Sequence, residues 1–229
     1  MPHASFVRNC RDRTPGRCRP FRLHRDGNHL RRFFNESITG VVVNTGINGF
    51  CVIPSCQRLI GAEKLPAGEI ASESVLKRAF PKLHSKWDYI LFDCPPALGI
   101  LSLNVLVAAR EVLIPVEVGV MALQGLVELT ETIEKIRERV NPELKITGIL
   151  TCRVDKRTRL SVDVIDKLKQ RFGDTVCKTH IRETVRLAEC PSFGKPITEY
   201  DPRGRGALDY GKLTDEVLQQ EVAGCPGGR

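Results

Sequence analysis

The sequence predicts an α/β protein with a doubly wound, mostly parallel β-sheet. The stretch that begins at Trp87 contains four consecutive apolar residues at 89–92 and ends on the carboxylate of Asp93, as expected for a buried strand of a parallel sheet. Short apolar runs and amphipathic segments alternate over the rest of the chain. Residues 121–140 carry apolar side chains every three or four positions, which is typical of a helix packed on a sheet. Repeated β-α units with short connections imply parallel strands.

The individual elements follow from local patterns. Residues 41–43 and 50–54 are predicted to be short strands, with Asn- and Gly-containing turn signals between them. A helix is predicted at 61–80, weakened in its middle by Pro66, before the strand that ends at Asp93. The remaining predicted elements are helices at 101–109, 121–140, 161–172 and 207–222, and strands at 111–116, 145–152 and 176–181.

The segment Asp93-Cys94-Pro95-Pro96 is the first candidate for a functional site. Asp93 would lie at the C-terminal edge of its strand, where open α/β sheets bind ligands. A carboxylate there, beside a backbone stiffened by two prolines, suits a Mg²⁺ ion and its waters next to a nucleotide phosphate. This is the chemistry of a Walker B strand. An ordinary strand end that caps the next helix has the same pattern, so the segment alone leaves both interpretations open.

Composition limits the class of protein. A chain of 229 residues with 41% hydrophobic residues fits one α/β domain. No apolar run reaches the roughly 18 residues that span a bilayer, and no apolar stretch of a secretory signal is present. The nine cysteines form no CxxC pair, which favours reduced core residues of a cytosolic protein over metal ligands or disulfides.

Positive charge is concentrated at the N-terminus. Residues 1–34 hold nine arginines, no lysine and two aspartates, and so carry seven of the eight net positive charges. The segment has no sustained helical or strand period. It is either a basic arm that binds nucleic acid or the product of out-of-frame translation of a GC-rich gene. We therefore distinguish a disordered or out-of-frame head at 1–36, a domain at 37–222 and a flexible tail at 223–229.

A phosphate-binding loop of the pattern GxxxxGK[ST] is missing from the sequence. The nearest match runs from Gly206 to Lys212, but Leu213 replaces the hydroxyl that would bind Mg²⁺. The segment has the pattern of a helix interior, whereas a phosphate-binding loop connects a buried strand to a helix N-terminus. We therefore expect these residues to lie within a helix.

Several blocks of sequence are each too short to indicate a protein family, but together and in this order they do indicate one. They are residues 52–55, 59–63, 87–99, 112–116, 122–126, 155–161, 181–196 and 200–207. In this order the chain resembles the ParA/Soj family of partition ATPases, relatives of MinD with a deviant Walker A motif. The resemblance implies a P-loop NTPase-like fold with ATP and Mg²⁺ as cofactors.

The resemblance assigns roles to the residues around the strand end. Asp93 would be the Walker B acid that holds Mg²⁺ through water. Cys94, Pro95 and Pro96 would belong to the switch region that senses the γ-phosphate.

Four further residues match positions at which relatives bind nucleotide or DNA. Arg182 and Thr184 would contact the adenine, while Arg157 and Arg186 would hold DNA phosphates without reading the sequence. Simpler interpretations remain open for both DNA candidates. Arg157 could be a loop arginine in solvent, and Arg186 could pair with Glu189 at the start of a helix.

The sequence also departs from the family. Relatives begin with a strand and a glycine loop that carries a signature lysine and the P-loop lysine, followed by an aspartate segment that orients the attacking water. Neither motif is present, so we expect a truncated or frameshifted chain whose fold lacks its first strand and P-loop. Phosphoryl transfer depends on positioning and charge neutralisation, and little or no ATP hydrolysis is therefore expected.

Three functions from different classes remain open. The resemblance implies a cytoplasmic, nucleoid-associated partition protein without membrane contact, whose ATP-dependent homodimer binds DNA non-specifically and is stimulated by a DNA-bound ParB-like activator. A non-enzymatic DNA-binding or regulatory module, which needs no ATP, is the alternative. The third is a MinD-like membrane-cycling protein, but the glycine-rich tail after Leu218 offers little apolar face for a membrane helix.

Overall fold

The computed structural model of the chain describes residues 5–7, 42–47, 49–54, 72–82, 87–95, 98–119 and 121–224. It divides into two compact units. The first unit comprises Met1–Ala4, Leu113–Thr132 and Ile146–Arg229, and the second comprises Ser5–Val112 and Ile133–Lys145.

Strands and helices alternate along most of the described residues. The strands are β1 (Ser5–Val7), β2 (Val43–Asn44), β3 (Cys51–Val52), β4 (Phe92–Asp93), β5 (Glu111–Glu117), β6 (Lys145–Val154) and β7 (Val176–Arg182). The α-helices are α1 (Val75–Ala79), α2 (Ile100–Ala108), α3 (Ala122–Arg139), α4 (Arg159–Phe172), α5 (Val185–Glu189), α6 (Ile197–Tyr200) and α7 (Arg205–Gly224).

The first unit contains a parallel strand pair with helices around it. β6 and β7 are parallel, with Val154 opposite Arg182. A Cβ atom added to Gly148 would lie 2.7 Å from the Sγ atom of Cys177 and 2.8 Å from a methyl carbon of Leu113. Glycine at this position therefore allows β6 to pack closely between its neighbours β5 and β7.

Two clusters of buried side chains stabilise the first unit. The larger one joins β6, β7 and α7 through Leu150, Cys177, Ile181 and Leu213. The smaller one holds α6 against the start of α7 and consists of Cys190, Ile197 and Ala207. Burial of these apolar surfaces fixes α7 beside β7, and this position of α7 determines the contacts at the end of β7.

The second unit contains two antiparallel strand pairs. β1 lies beside β4, with Ser5 opposite Asp93, and β2 forms a hairpin with β3. The ring of Phe80, which is 2% exposed, lies 5.4 Å from the ring of Phe92. This aromatic contact fixes the strand that leads to Asp93.

Asn141 closes the end of α2 in the second unit. Its side chain is buried, and its Nδ2 donates to the carbonyl oxygens of Leu106 at 2.8 Å and Ala109 at 2.6 Å. Carbonyl groups of a last helical turn have no partner within the helix. Asn141 supplies that partner from a distant part of the chain.

Replacing Asn141 by alanine is expected to lower the free energy of unfolding by about 2 kcal/mol, because two buried carbonyl groups lose their donor. Urea denaturation measures the change. The control is Gln170→Ala, which removes an exposed amide from α4 and should cost less than about 0.5 kcal/mol. Similar small losses in both variants would show that Asn141 does not stabilise the fold in this way.

The sequence predictions agree with the structure for the long elements. The predicted helices at 101–109, 121–140 and 161–172 correspond to α2, α3 and α4, and the predicted strand at 145–152 continues to Val154 as β6. Of the helix predicted at 61–80, only residues 72–80 are described. They form a 3₁₀ turn, then α1, and then the first residue of a second 3₁₀ turn. No helix of the described residues has both the length and the apolar character needed to cross a membrane.

Two short α-helices and one short strand were not predicted. α5 and α6 contain five and four residues, too few to show a helical period. Within the head, where the pattern predicts no element, the structure has β1. Phe6 and Val7 favour a strand, but three residues show no alternation that a sequence could reveal. The rest of the head and residues 225–229 lie outside the described residues.

Candidate functional site

Asp93 lies in the second unit at the C-terminal end of β4, and it is exposed. The predicted position at a strand end is therefore confirmed. The prediction of a buried, parallel strand is wrong, because β4 has only two residues, neither of them buried, and pairs antiparallel with β1. The role of Asp93 as a Mg²⁺ ligand stays a prediction. An exposed carboxylate at this position is the type of donor that Mg²⁺ takes from proteins.

The residues after Asp93 connect this strand end to α2. Cys94 is buried, and burial together with the neighbouring charge of Asp93 raises the pKa of its thiol to about 12. The thiol therefore stays protonated and is not a nucleophile. The carbonyl oxygen of Pro95 accepts a hydrogen bond from the hydroxyl of Ser102 in α2 at 3.4 Å. Pro96 lies outside the described residues.

Arg182 lies in the first unit as the last residue of β7, where Asp209 of α7 binds it through three hydrogen bonds. The Oδ2 atom of Asp209 accepts from the backbone N–H of Arg182 at 3.1 Å and from Nε at 2.9 Å, and Oδ1 accepts from Nη2 at 2.7 Å. Burial alone opposes ionisation of Asp209, but the hydrogen bonds and charge of Arg182 outweigh it and lower the pKa of the carboxyl. The carboxylate therefore fixes both the backbone and the guanidinium of Arg182.

Thr184 caps α5. Its hydroxyl oxygen accepts the backbone N–H of Arg186 at 3.1 Å, which is the usual contact of an N-cap threonine. The side chain of this predicted base contact thus already serves the local fold.

Arg157 lies in the turn between β6 and α4 and is paired with Asp155. The carboxylate accepts from the backbone N–H of Arg157 at 3.0 Å, from Nε at 3.0 Å and from Nη2 at 2.8 Å. These bonds hold the pKa of Asp155 at about 2. The side chain of Arg157 is nevertheless 90% exposed. The arginine therefore faces solvent, as one of the two interpretations predicts, but it is oriented by an ion pair.

Arg186 makes the local contact that its spacing predicts. Its Nη1 donates to Glu189 at 3.3 Å, and its guanidinium carbon lies 5.9 Å from the ring centre of Tyr200. The hydroxyl of Tyr200 donates to the same carboxylate oxygen of Glu189 at 3.1 Å. The side chain remains 60% exposed, so the pairing with Glu189 does not remove it from the surface.

The first unit brings these candidates to the carboxyl ends of two neighbouring strands. Val154 lies opposite Arg182, and the N–H of Glu183 donates to the carbonyl oxygen of Val154 at 3.4 Å. The turn with Arg157 follows β6, and the turn with Thr184 follows β7. The carboxyl ends of parallel strands are the usual ligand-binding edge of such a sheet. Asp93 belongs to the second unit.

Comparison with known proteins identifies the family. A family profile described as an AAA domain matches residues 24–146. Over 183 residues the chain is 42% identical to the sporulation initiation inhibitor protein Soj of Bacillus subtilis, an alignment that covers 80% of this chain and 72% of that protein. The chain belongs to the ParA/Soj family.

Other relatives of the ParA/Soj family give the same result. The chromosome partitioning protein ParA of Caulobacter vibrioides is 37% identical over 187 residues, covering 80% of this chain and 70% of that protein. The ParA of Myxococcus xanthus is 39% identical over 178 residues, covering 78% of this chain and 63% of that protein. The resemblance stated from the sequence blocks is thus confirmed.

Solved structures show that the fold is that of P-loop NTPases. Cobyrinic acid a,c-diamide synthase of Mycobacterium smegmatis, solved with bound ADP and magnesium, superposes with a TM-score of 0.72 at 28% identity, covering 88% of this chain and 74% of that one. The apo form of McdA from Cyanothece superposes with a TM-score of 0.70 at 21% identity, covering 83% and 76%. The predicted α/β class is therefore confirmed.

The incomplete phosphate-loop motif lies in a helix, as its pattern predicts. Gly206 and Lys212 both belong to α7. A Cβ atom at Gly206 would lie 2.9 Å from Leu187 and 3.2 Å from Ile197. Gly206 therefore serves the packing of α7 in this ParA/Soj relative and leaves no phosphate cradle in this segment.

Sequence reasoning missed Arg153, at the ligand-binding edge of the first unit. Its guanidinium donates to Glu117 and to Glu183 at 2.7 Å each, which ties together the carboxyl ends of β5, β6 and β7. Its φ of 53° is the only left-handed value of a non-glycine residue among the described residues. The partners are 36 and 30 residues away, so no local pattern could reveal the contact.

Two acids of α7 were also missed, although their spacing in the sequence could have revealed them. Asp209 and Glu216 fall on the same helix face as buried Leu213, where acids are uncommon. The Oε1 atom of Glu216 accepts from the backbone N–H of Lys178 at 2.7 Å, and Oε2 accepts from that of Thr179 at 2.9 Å. An acid at an apolar position of a helix thus indicates an acceptor for N–H groups of the strand packed against that helix face.

The two acids of α7 make stability depend on pH. Desolvation opposes ionisation of Glu216, but hydrogen bonds from Thr179 and Lys178 outweigh it, so the pKa of Glu216 is lowered, as is that of Asp209. A lowered pKa gives stability that is present above the ordinary carboxyl value of about 4 and is lost as the pH falls below it. We expect the free energy of unfolding to fall between about pH 5 and about pH 3.

Glu216→Gln tests this dependence. The variant should be less stable at neutral pH and should lose less stability on acidification, because one of the carboxyl groups with a lowered pKa is gone. Glu138→Gln, which changes an exposed acid of α3, is the control and should follow the parent curve. Parallel curves for Glu216→Gln and the parent, measured by urea denaturation across the pH range, would contradict the assignment.

Proposed function

We propose that this chain is a ParA-type partition protein that binds DNA without sequence preference under the control of ATP. The observation that carries the proposal is its 42% identity to Soj of Bacillus subtilis over 80% of the chain. The local geometry at Asp93, Arg157 and Arg186 supports it. Asp93 is exposed at a strand end, Arg157 is exposed in the turn before α4, and Arg186 is exposed in the first turn of α5.

The chemistry of Asp93 fits a bound magnesium nucleotide. A carboxylate oxygen at a strand end can hold Mg²⁺ through its waters, and Mg²⁺ supplies charge neutralisation to the phosphates when bound. The sequence has no lysine-bearing loop to cradle those phosphates, and its nearest match is part of α7. Because this loop is missing, we propose that hydrolysis of ATP by the chain itself is very slow. ATP would then regulate the chain through its binding rather than through its hydrolysis.

The three candidate arginines would bind two different ligands. Arg182, with Thr184 beside it, would contact the base of the nucleotide. Arg157 and Arg186 would bind DNA phosphates, because guanidinium forks match phosphate oxygens. Each of these two arginines already has a carboxylate partner. A DNA phosphate must therefore displace that carboxylate or bind the arginine beside it.

The same function implies its assembly and partners. A homodimer formed on ATP binding would present the arginines of both copies to the DNA. A DNA-bound ParB-like activator would then regulate release. The protein would be associated with the nucleoid in the cytoplasm.

Competition between DNA duplexes tests the proposed mode of binding. Unrelated duplexes of equal length should displace a labelled duplex equally well from the full chain with magnesium ATP, because phosphate contacts carry no sequence information. The logarithm of the affinity should fall linearly with that of the salt concentration, with a slope of about 0.9 per phosphate contact. A strong preference for one duplex would contradict the proposal.

A further inference from the structure

The contact between Asp209 and Arg182 joins the interior of the first unit to its surface. Asp209 is 4% exposed, whereas the side chain of Arg182 is 35% exposed. The carboxylate binds the backbone N–H, Nε and Nη2 of the same residue. One buried group therefore sets both where β7 ends and where the guanidinium points.

Three backbone N–H groups in and beside the turn after β7 have defined acceptors. Asp209 accepts the N–H of Arg182, the carbonyl oxygen of Val154 accepts the N–H of Glu183, and Thr184 accepts the N–H of Arg186. Only the first of these contacts also orients a cationic side chain. The other two fix the backbone alone.

The ion pair with Asp209 uses one edge of the Arg182 guanidinium. Nε and Nη2 donate to Asp209, while Nη1 has no partner among the described residues. A planar guanidinium held by one edge offers its faces for stacking on an aromatic ring and its remaining N–H groups to ring acceptors. This arrangement suits a purine base.

We propose that Asp209 is a positioning residue that holds Arg182 in the orientation in which it binds the purine base of a nucleotide. The inference rests on the proposed function, since it assumes that the turn after β7 faces the nucleotide base. Asp209 acts through Arg182 and does not itself touch the ligand.

Glu216 provides a matched control on the same helix. It lies seven residues after Asp209 in α7 and binds the backbone of β7 at Lys178 and Thr179. Glu216→Gln therefore weakens a carboxylate contact between the same helix and strand without touching Arg182. Asp209→Asn keeps the size of the side chain and removes its charge.

Binding of two probes by the full chain tests the inference. Magnesium ATP carries a base, and magnesium tripolyphosphate does not. Asp209→Asn should weaken ATP binding by about tenfold, as expected for a lost contact to a charged group, and should leave tripolyphosphate binding within about twofold of the parent. Glu216→Gln should leave the ratio of the two affinities unchanged. An equal loss for both probes, or no loss for ATP, would overturn the positioning role.

A double-mutant cycle separates action through Arg182 from other effects. If Asp209 acts only through Arg182, Asp209→Asn should weaken ATP binding no further when Arg182 is already alanine. An additional loss equal to that in the parent would overturn the inference.

Hydrogen exchange provides a readout that needs no nucleotide. Asp209→Asn should speed exchange of the amides of Arg182 and Glu183 by about tenfold or more, whereas Glu216→Gln should act at Lys178 and Thr179. Unchanged exchange at Arg182 would overturn the positioning role. If the parent chain binds neither probe while Asp209→Asn shows this exchange pattern, the ATP-dependent function fails and Asp209 still positions Arg182.

Discussion

Replacing both Arg157 and Arg186 by alanine is expected to weaken binding to mixed-sequence DNA by roughly 60-fold at ~0.1 M salt. Each phosphate contact adds about 0.9 to the slope of log affinity against log salt, so two lost contacts correspond to nearly two logarithmic units relative to ~1 M salt. Fluorescence anisotropy over a salt series measures both the affinity and the slope. The slope should become shallower by nearly two.

Arg137 offers a matched control for the two arginines that are proposed to bind DNA. It lies on α3 and pairs with Glu134 three residues earlier, just as Arg186 pairs with Glu189 three residues later. Arg137→Ala removes the same charge from an equally local ion pair and should leave the slope unchanged. If it weakens DNA binding as much as Arg186→Ala, the effect is that of net charge, and the assignment of Arg157 and Arg186 is wrong.

Replacing Asp93 by asparagine is expected to remove the dependence of ATP binding on Mg²⁺. Asparagine keeps the shape of the side chain but loses the charge that holds the hydrated ion. The parent should bind ATP about 10-fold to 100-fold more tightly with Mg²⁺ than with a chelator, in line with contacts to charged groups. The variant should bind equally weakly under both conditions in a titration with fluorescent ATP.

Asp88 is the control for this variant. It lies five residues before Asp93 in the segment that leads to β4, and it is exposed as well. Asp88→Asn should retain the full response to Mg²⁺. A response that survives in Asp93→Asn but disappears in Asp88→Asn would place the ion elsewhere and refute the role of Asp93.

Long elements with a clear period could be predicted from the sequence. In β5 every second residue from Val112 to Val116 is buried, which explains why a short apolar run was sufficient to predict a strand. α3 and α4 have their apolar residues at helical spacing, and their predicted bounds agree with the structure to within two residues. In both cases the pattern is local and depends on a single repeating geometry.

Contacts that depend on distant residues could not be predicted. Arg182 and Asp209 are 27 residues apart, and β1 pairs with a strand more than 80 residues later in the chain. The local pair of Arg186 and Glu189 was predicted, because its spacing alone places the two side chains on one helix face. The pair of Arg157 and Asp155 was not, because it depends on the conformation of a turn.

The same distinction applies to the candidate site. The sequence correctly placed Asp93 at a strand end, since the residue directly follows its apolar run. It did not reveal that Thr184 caps α5 or that Asp209 holds Arg182, because both depend on how α5 and α7 follow and flank β7. The predicted roles of these residues now have defined geometries that mutation can test.

The most direct test of the proposed function is the affinity of the full chain for mixed-sequence DNA without nucleotide and with saturating magnesium ATP. A ParA-type protein regulated by ATP should bind DNA at least about tenfold more tightly with magnesium ATP, and Asp93→Asn should abolish the difference. Equal affinity under both conditions would contradict the proposal and identify the chain as a DNA-binding module that needs no nucleotide.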